Sequence, residues 1–124
     1  MSIDSAAIAA INLLRSGGHL GVVCDQVDET CVFTVPFFGQ EAKFTPAPAV
    51  FARNASARIW IARCLRRDGS SRFTVEVKEL LTEQTSDRRA DLRNTTAAMA
   101  QQFEQWIRET PEQWMWWQRR SIAS

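Results

Sequence analysis

The chain has 124 residues, of which 45% are hydrophobic and 23% are charged, and its formal net charge is +1. This is the composition of an ordinary globular protein, and the length allows one domain, or part of one, whose core buries roughly two thirds of the unfolded surface. The small net charge excludes an overall field that would attract nucleic acid or anionic lipid, so such a partner would need a local basic patch.

The first predicted elements are a helix and a strand separated by glycines. Apolar residues recur at helical spacing over Ile3–Arg15, and residues 16–18, SGG, stop the pattern as a glycine C-cap would. The run HLGVVC at residues 19–24 is short, unbroken and rich in β-branched side chains, which predicts a buried strand. The apolar run at residues 6–14 is far shorter than the roughly 20 residues that span a bilayer and has no basic leader. We therefore expect neither a transmembrane segment nor a signal peptide.

The next part of the chain predicts an extended segment and a short helix. Residues 31–39, CVFTVPFFG, alternate in polarity, but Pro36 restricts them to a sheet edge or an irregular loop. Pro46 and Pro48 suit the first turn of a helix, which we expect to end near Asn54.

A hairpin and a long helix follow. Residues 58–65 and 73–77 alternate on either side of an Asp-Gly turn signal at residues 68–69. After a polar linker at residues 82–87, apolar residues repeat at helical spacing up to Pro111. This order of elements predicts the α/β class, with helices covering a small mixed sheet. Only about three strands are predicted, so we expect that sheet to be incomplete.

Few residues are candidates for metal or nucleophilic chemistry. Cys24, Cys31 and Cys64 are odd in number and match no zinc-binding pair, so we expect reduced thiols. His19 is the single histidine, cannot anchor a typical zinc site and is interpreted as a structural turn residue. Serine nucleophile elbows and phosphate-binding glycine loops are absent from the sequence. We expect no metal and no cofactor.

Two polar clusters could carry function or could simply be solvated. The first follows the predicted buried strand and contains Asp25, Gln26, Asp28 and Glu29. Open α/β sheets bind ligands beyond such strand ends, although a solvated loop with a helix cap explains the same residues. The second surrounds the predicted hairpin and contains Arg63, Arg66, Arg67 and Arg72. These arginines could bind phosphate groups, or they could form a solvated edge that discourages strand pairing.

The carboxyl-terminal region contains an aromatic run. Residues 111–120, PEQWMWWQRR, hold three of the five tryptophans. Four consecutive apolar side chains point to all sides of a helix, so the run is either buried on several sides or in contact with lipid.

Four motifs carry a resemblance to a known family: DQ at residues 25–26, VPFFG at 35–39, PAVFAR at 48–53 and FEQWIRETPEQWMWWQRR at 103–120. Their order and spacing resemble the carboxyl-terminal half of bacterial lipid A biosynthesis acyltransferases, a branch of the lysophospholipid acyltransferase superfamily. The resemblance implies part of that superfamily's layer fold. It also implies transfer of a fatty acyl chain from acyl carrier protein to a hydroxyl of a lipid A precursor or related glycolipid, at the cytoplasmic face of the bacterial inner membrane.

The resemblance also implies roles for individual residues. Asp25 and Gln26 would support catalysis beside the active site. The substrate-binding residues would be Phe37, Phe38, Gly39, Arg119 and Arg120. The superfamily's general base is a histidine with an acidic residue five positions later, whereas Cys24 stands five positions after His19. We therefore expect a carboxyl-terminal fragment that is inactive alone.

The implied partners are acyl carrier protein, a glycolipid acceptor, the membrane surface and a missing amino-terminal half. The alternative is a non-catalytic module that uses the tryptophan-rich segment to bind lipid, acyl carrier protein or another chain. We expect no nucleic-acid partner, because the net charge is small and no base-stacking motif is present.

Overall fold

The computed structural model describes residues 3–23 and 33–113, which form three α-helices and two β-hairpins. The helices are α1 (Ile3–Arg15), α2 (Ala47–Ala55) and α3 (Arg88–Glu109). The strands are β1 (Phe33–Phe37), β2 (Gln40–Phe44), β3 (Ile59–Arg66) and β4 (Phe73–Leu80). A short 3-10 turn, Pro111–Gln113, follows α3.

Helix α1 confirms the predicted first helix and its glycine stop. The N–H of Gly18 donates to the carbonyl of Leu13 at 3.0 Å, and the N–H of Gly17 donates to that of Leu14 at 3.1 Å. These are the two bonds of a Schellman C-cap. Gly17 has the left-handed φ of +89° that this cap requires, which glycine adopts without steric cost. The helix then lies against α2.

The predicted strand at residues 19–24 is wrong over the part that the structure describes. Residues 19–23 form no strand, and the side chain of Val23 is 79% exposed. A strand becomes stable when neighbouring strands pair with it, and among the described strands β1 pairs with β2 and β3 pairs with β4. Within residues 3–23 and 33–113, the apolar run therefore has no neighbouring strand that would bury it. Cys24 lies outside the described residues.

The first hairpin joins β1 to β2, and the sequence predicted only its first strand. The strands are antiparallel, with Val35 opposite Ala42. Alternate residues turn inward, so that Val35, Phe37, Ala42 and Phe44 are buried. Pro36 is exposed, in agreement with its predicted edge position, because both strands of a two-stranded sheet are edges.

Helix α2 and the second hairpin also agree with the predictions. The helix ends at Ala55, one residue beyond the predicted Asn54, and Ser56 follows with a left-handed φ of +50°. Strands β3 and β4 are antiparallel, and Asp68 and Gly69 form their turn with φ values of +35° and +65°.

One face of the second hairpin is covered and the other is exposed. On the covered face, Ile61 is buried in the core that α3 completes. The opposite face, here termed the outer face, contains a charged residue near each end, Arg66 and Glu79, and between them the apolar residues Trp60, Ala62, Cys64, Phe73, Val75 and Val77. Trp60, Phe73, Val75 and Val77 are 56%, 55%, 63% and 58% exposed. A contiguous apolar face of this kind is typical of a sheet that another layer covers.

Helix α3 is the long helix predicted ahead of Pro111, and it packs on β1. Its N-cap is Asp87, which accepts a hydrogen bond from the N–H of Ala90 at 3.1 Å. The core between this helix and the two hairpins contains Val35, Phe37, Ala42, Phe44, Ile61, Met99, Ala100, Phe103, Trp106 and Ile107.

The α/β class is confirmed, with one difference in sheet topology. The described strands form two antiparallel pairs in place of one small mixed sheet, and residues 19–23 add no strand to either pair. Among the residues that the structure describes, no helix is long and apolar enough to span a membrane.

Asp91 is a buried carboxylate that joins the start of α3 to α2. It accepts hydrogen bonds from the Arg53 guanidinium, from the N–H of Thr85 at 2.6 Å and from the hydroxyl of Thr85 at 2.7 Å. Burial raises the pKa of Asp91, but the Thr85 and Arg53 hydrogen bonds and the positive charge of Arg53 together lower it by more. The net shift is downward, so the native contacts favour the ionised carboxylate.

Candidate substrate-binding site

The candidate site is built around the turn that joins β1 to β2. Phe37 pairs with Gln40 across a two-residue turn formed by Phe38 and Gly39. Both turn residues have positive φ, +52° and +74°, as in the type I′ turns that match the twist of a hairpin. Glycine adopts this conformation readily, whereas a non-glycine residue held there costs on the order of 1 kcal/mol or more. Contacts elsewhere must therefore hold Phe38 in place.

Helix α3 supplies those contacts through Glu104 and Arg108, which we term the Glu104–Arg108 clamp. The N–H of Phe38 donates to Oε1 of Glu104, and the Arg108 guanidinium lies 4.6 Å from the centroid of the Phe38 ring. Nε of Arg108 lies 3.4 Å from Oε2 of Glu104, one helical turn away. A charge-assisted hydrogen bond and a cation–π contact thus fix the turn to the helix from two sides.

The three predicted substrate-binding residues of this turn differ in exposure. Phe37 is 8% exposed, and its ring packs edge-on against those of Phe38 and Phe44 at centroid distances of 4.8 and 5.1 Å. Phe38 is half-buried and Gly39 is exposed. Phe37 therefore supports the turn from the core, while Gly39 and the outer part of Phe38 are the surface that a substrate could touch. Their substrate-binding role stays a prediction.

The remaining predicted site residues, Asp25, Gln26, Arg119 and Arg120, lie outside the described residues, as do Asp28, Glu29 and residues 114–117 of the tryptophan run. His19 is described and exposed. Cys64 is a free thiol, as predicted. Within residues 3–23 and 33–113, no three His, Cys, Asp or Glu side chains are grouped as a metal site would require.

Sequence reasoning missed an apolar groove along the edge of β3 that faces away from β4, here termed the β3-edge groove. It consists of two neighbouring cavities of about 280 and 390 Å³, and Val22, Ala62 and Phe103 line both. Together they reach the range of small-molecule sites, roughly 300–1,000 Å³. The lining comes from α1, residues 20–23, α2, β3, α3 and the residues next to them, so no single stretch of sequence could have revealed the groove.

Arg63 borders the second cavity and is held by two carboxylates. One Nη lies 2.8 Å from Oε2 of Glu76 and 2.6 Å from Oε2 of Glu109. The guanidinium also lies 5.1 Å from the centroid of the Trp106 ring. Arg63 therefore joins the second hairpin to α3 and is only 14% exposed, which separates it from the other hairpin arginines. The interpretation of a solvated edge fits Arg66, Arg67 and Arg72, which are exposed.

Comparison with known proteins adds a family relationship to this geometry. The model of the family described as bacterial lipid A biosynthesis acyltransferase matches residues 5–121. The match therefore includes the candidate turn, the β3-edge groove and the Glu104–Arg108 clamp. A comparison with curated proteins found no match.

Proposed function

The chain belongs to the bacterial lipid A biosynthesis acyltransferase family, and we propose that it forms the carboxyl-terminal part of such an enzyme. The reaction is transfer of a fatty acyl chain from acyl carrier protein to a hydroxyl of a lipid A precursor or related glycolipid. The observation that carries this proposal is the family match, which extends over residues 5–121 and so across both hairpins.

In this proposal the chain supplies the walls of the substrate site and leaves the general base to another segment. Transfer to a hydroxyl needs a base that removes its proton. The only histidine in the sequence is His19, and the residue five positions later is Cys24 in place of an acid. Asp25 and Gln26 then act in support, by orienting the substrate or the base. The chain alone is inactive.

Two described features suit the proposed substrates. The β3-edge groove is lined mainly by aliphatic and aromatic side chains, the surroundings that an acyl chain prefers to water. The turn formed by Phe38 and Gly39 is rigidly held on α3, which suits a loop that shapes a substrate site. Phe37 supports this loop from below. Arg119 and Arg120 would contact lipid phosphates at the cytoplasmic face of the inner membrane.

The exposed outer face of the second hairpin is an argument that a further polypeptide layer covers it in the whole enzyme. Its exposed valines and aromatic rings would be buried if an amino-terminal half carrying the histidine–acid motif packed on them. We propose this half, acyl carrier protein and the glycolipid acceptor as the partners of the chain.

A complementation assay tests the proposal. The purified chain is incubated with acyl carrier protein carrying a radiolabelled fatty acid and with a lipid A precursor in detergent. The assay is run with and without the amino-terminal half of a family enzyme. We expect no labelled product from the chain alone and clear transfer from the mixture. In the mixture, Asp25→Asn should lower the rate by roughly tenfold or more, because it removes the carboxylate that orients the substrate or the general base.

Asp68→Asn is the matched control, because Asp68 is an exposed carboxylate in the β3–β4 turn, away from the candidate turn. It should leave the rate unchanged. Transfer by the chain alone that disappears with His19→Ala would place the base in this chain and refute the division of roles.

A second candidate function is a non-catalytic binding module, and the exposure of the outer face favours it independently of the family match. Such a module would fold and remain monomeric without a complementing half. We would therefore measure mass and thermal unfolding with and without that half. A cooperative melt of a monomer that the half leaves unchanged would favour the module over the acyltransferase part.

A further inference from the structure

The tip of the second hairpin, residues 66–72, carries a local positive charge. Arg66, Arg67 and Arg72 are all exposed there, and Asp68 is the single carboxylate. Three positive charges and one negative charge give the tip a formal charge of +2, whereas the whole chain has +1. The tip is therefore the kind of local basic patch that an anionic partner needs in a chain with so small a net charge.

The arginines on the body of this hairpin are paired with carboxylates, whereas those at its tip are not. Nε of Arg58 donates to Oε1 of Glu79 at 2.7 Å, and Arg63 is held by two carboxylates. Within residues 3–23 and 33–113, no carboxylate forms an ion pair with a tip arginine. Exposure alone fits a solvated edge, but this division between body and tip favours the alternative interpretation, phosphate binding.

The backbone of the tip holds Arg67 and Arg72 opposite each other. The N–H of Arg67 donates to the carbonyl of Arg72 at 3.0 Å. The hydroxyl of Ser70 donates to the carbonyl of Arg67 at 2.6 Å and accepts from the N–H of Arg72 at 3.1 Å. Like charges that face each other across two strands destabilise a hairpin. A phosphate group bound by both guanidinium groups would offset this repulsion with charge-assisted hydrogen bonds.

Arg66 lies on the other face of the hairpin, because successive side chains of a strand point to opposite faces. Its guanidinium lies 5.4 Å from the centroid of the Phe73 ring, which belongs to a side chain that is 55% exposed. Arginines on two faces of a hairpin cannot converge on one phosphate ion, whereas a surface with many phosphates can contact them all. An exposed aromatic ring beside arginine is also typical of proteins that bind at the membrane interface.

We propose that the tip of the second hairpin binds the phosphate headgroups of an anionic lipid surface. Arg67 and Arg72 are the paired contacts, and Arg66 is the third. This inference goes beyond the proposed function, because it depends on the hairpin alone and holds whether or not the chain takes part in acyl transfer. It leaves the β3-edge groove to the acyl chain.

Binding of the full chain to lipid vesicles tests this proposal. The vesicles contain equal parts of phosphatidylglycerol and phosphatidylcholine, and co-sedimentation measures the bound fraction. Each arginine at an anionic membrane surface strengthens binding about fivefold, so Arg67→Gln with Arg72→Gln should weaken it about 25-fold. The Tm of this variant, measured by circular dichroism, should stay the same or rise, because the change removes a like-charge pair. A fall in Tm would mean that the two arginines stabilise the fold, and the proposal would fail.

Arg89→Gln with Arg93→Gln is the matched control, since it removes two exposed arginines near the start of α3. The tip lies near the other end of α3, where Gln113 bonds to the backbone of Arg66. The two ends are more than about 20 Å apart, beyond the screening length of about 10 Å at 0.1 M salt. The control should therefore leave vesicle binding unchanged.

Three outcomes would overturn the proposal. Equal losses from the two arginine pairs would mean that only the overall charge matters. Equal binding of the native chain to vesicles of pure phosphatidylcholine would assign the contact to apolar surface. Release from the vesicles by inorganic phosphate, at an ionic strength matched with chloride, would assign a site for a single phosphate ion in place of a lipid surface.

Discussion

Asp91 shows at the scale of one residue how a buried charge fixes an element. Its contacts with Arg53 and Thr85 lower its pKa, so folding favours the ionised form. The stability that Asp91 contributes is therefore fully present at pH values above the pKa that the Asp91 carboxyl has in the unfolded chain, about 3.9. It is lost as pH falls through the lower native pKa. Asp91→Asn should lower Tm by roughly 5–10 °C at pH 7, because Arg53 loses its charged partner.

The difference in Tm between the native chain and Asp91→Asn should shrink as pH falls from about 5 to about 2. A difference between two chains is needed because Glu79, whose pKa is lowered by its hydrogen bond with Arg58, contributes to acid unfolding in the same range. Thermal unfolding followed by circular dichroism provides both Tm values. An equal difference at pH 7 and pH 2 would mean that the charge of Asp91 adds no stability.

Substitution of Gly39 tests the backbone conformation of the β1–β2 turn. Its φ is +74°, and a Cβ added there would meet no atom within 4 Å, so alanine would introduce backbone strain without a clash. Gly39→Ala should lower the free energy of unfolding by about 1 kcal/mol. Gly21→Ala is the control, because that site is equally open and its φ is not positive. Urea denaturation that shows equal effects of the two changes would contradict the assigned strain.

At the scale of elements, the sequence predicted what local patterns determine. The first helix, α2 and α3 carry helical apolar spacing with glycine or proline boundaries, and β3 and β4 carry alternation around an Asp-Gly turn. Strand β2 was missed because its outward residues, including Glu41 and Lys43, leave only Ala42 and Phe44 as an apolar signal. The prediction of a strand at residues 19–24 was wrong over the described residues 19–23, although the apolar signal there is strong. Apolar content does not determine whether another strand pairs with a segment.

The candidate site shows the same limit. The family motifs predicted that Phe38 and Gly39 bind substrate. The structure adds that the two residues form a turn in which Phe38 has a strained, positive φ. The Glu104–Arg108 clamp was missed, because an acidic and a basic residue four positions apart on a helix usually indicate a solvated pair. Their contact with Phe38 joins segments 66 positions apart. Sequence periodicity does not report contacts of that range.

At the scale of the whole molecule, the arrangement of the hairpins matters more than the number of elements. The core lies between α3 and the inward faces of both hairpins, so the outer face of the second hairpin turns away from it. The sequence predicted an incomplete mixed sheet around residues 19–24, and the exposed outer face of the second hairpin is a different feature that the sequence did not predict. A covering layer from a partner and self-association are two ways to remove Val75 and Val77 of this face from contact with water.

Polar substitutions on the outer face should affect self-association, whereas polar substitutions in the core should affect stability. Val75→Thr with Val77→Thr keeps β-branched side chains but removes apolar surface that is already exposed. The pair should therefore reduce self-association in sedimentation velocity while changing Tm by less than about 3 °C. Ile61→Thr is the control on the covered face of the same hairpin, where a buried hydroxyl should lower stability by about 1–3 kcal/mol. If the paired threonines lowered Tm as much as Ile61→Thr does, the outer face would be part of a core within the chain, and the need for a covering layer would disappear.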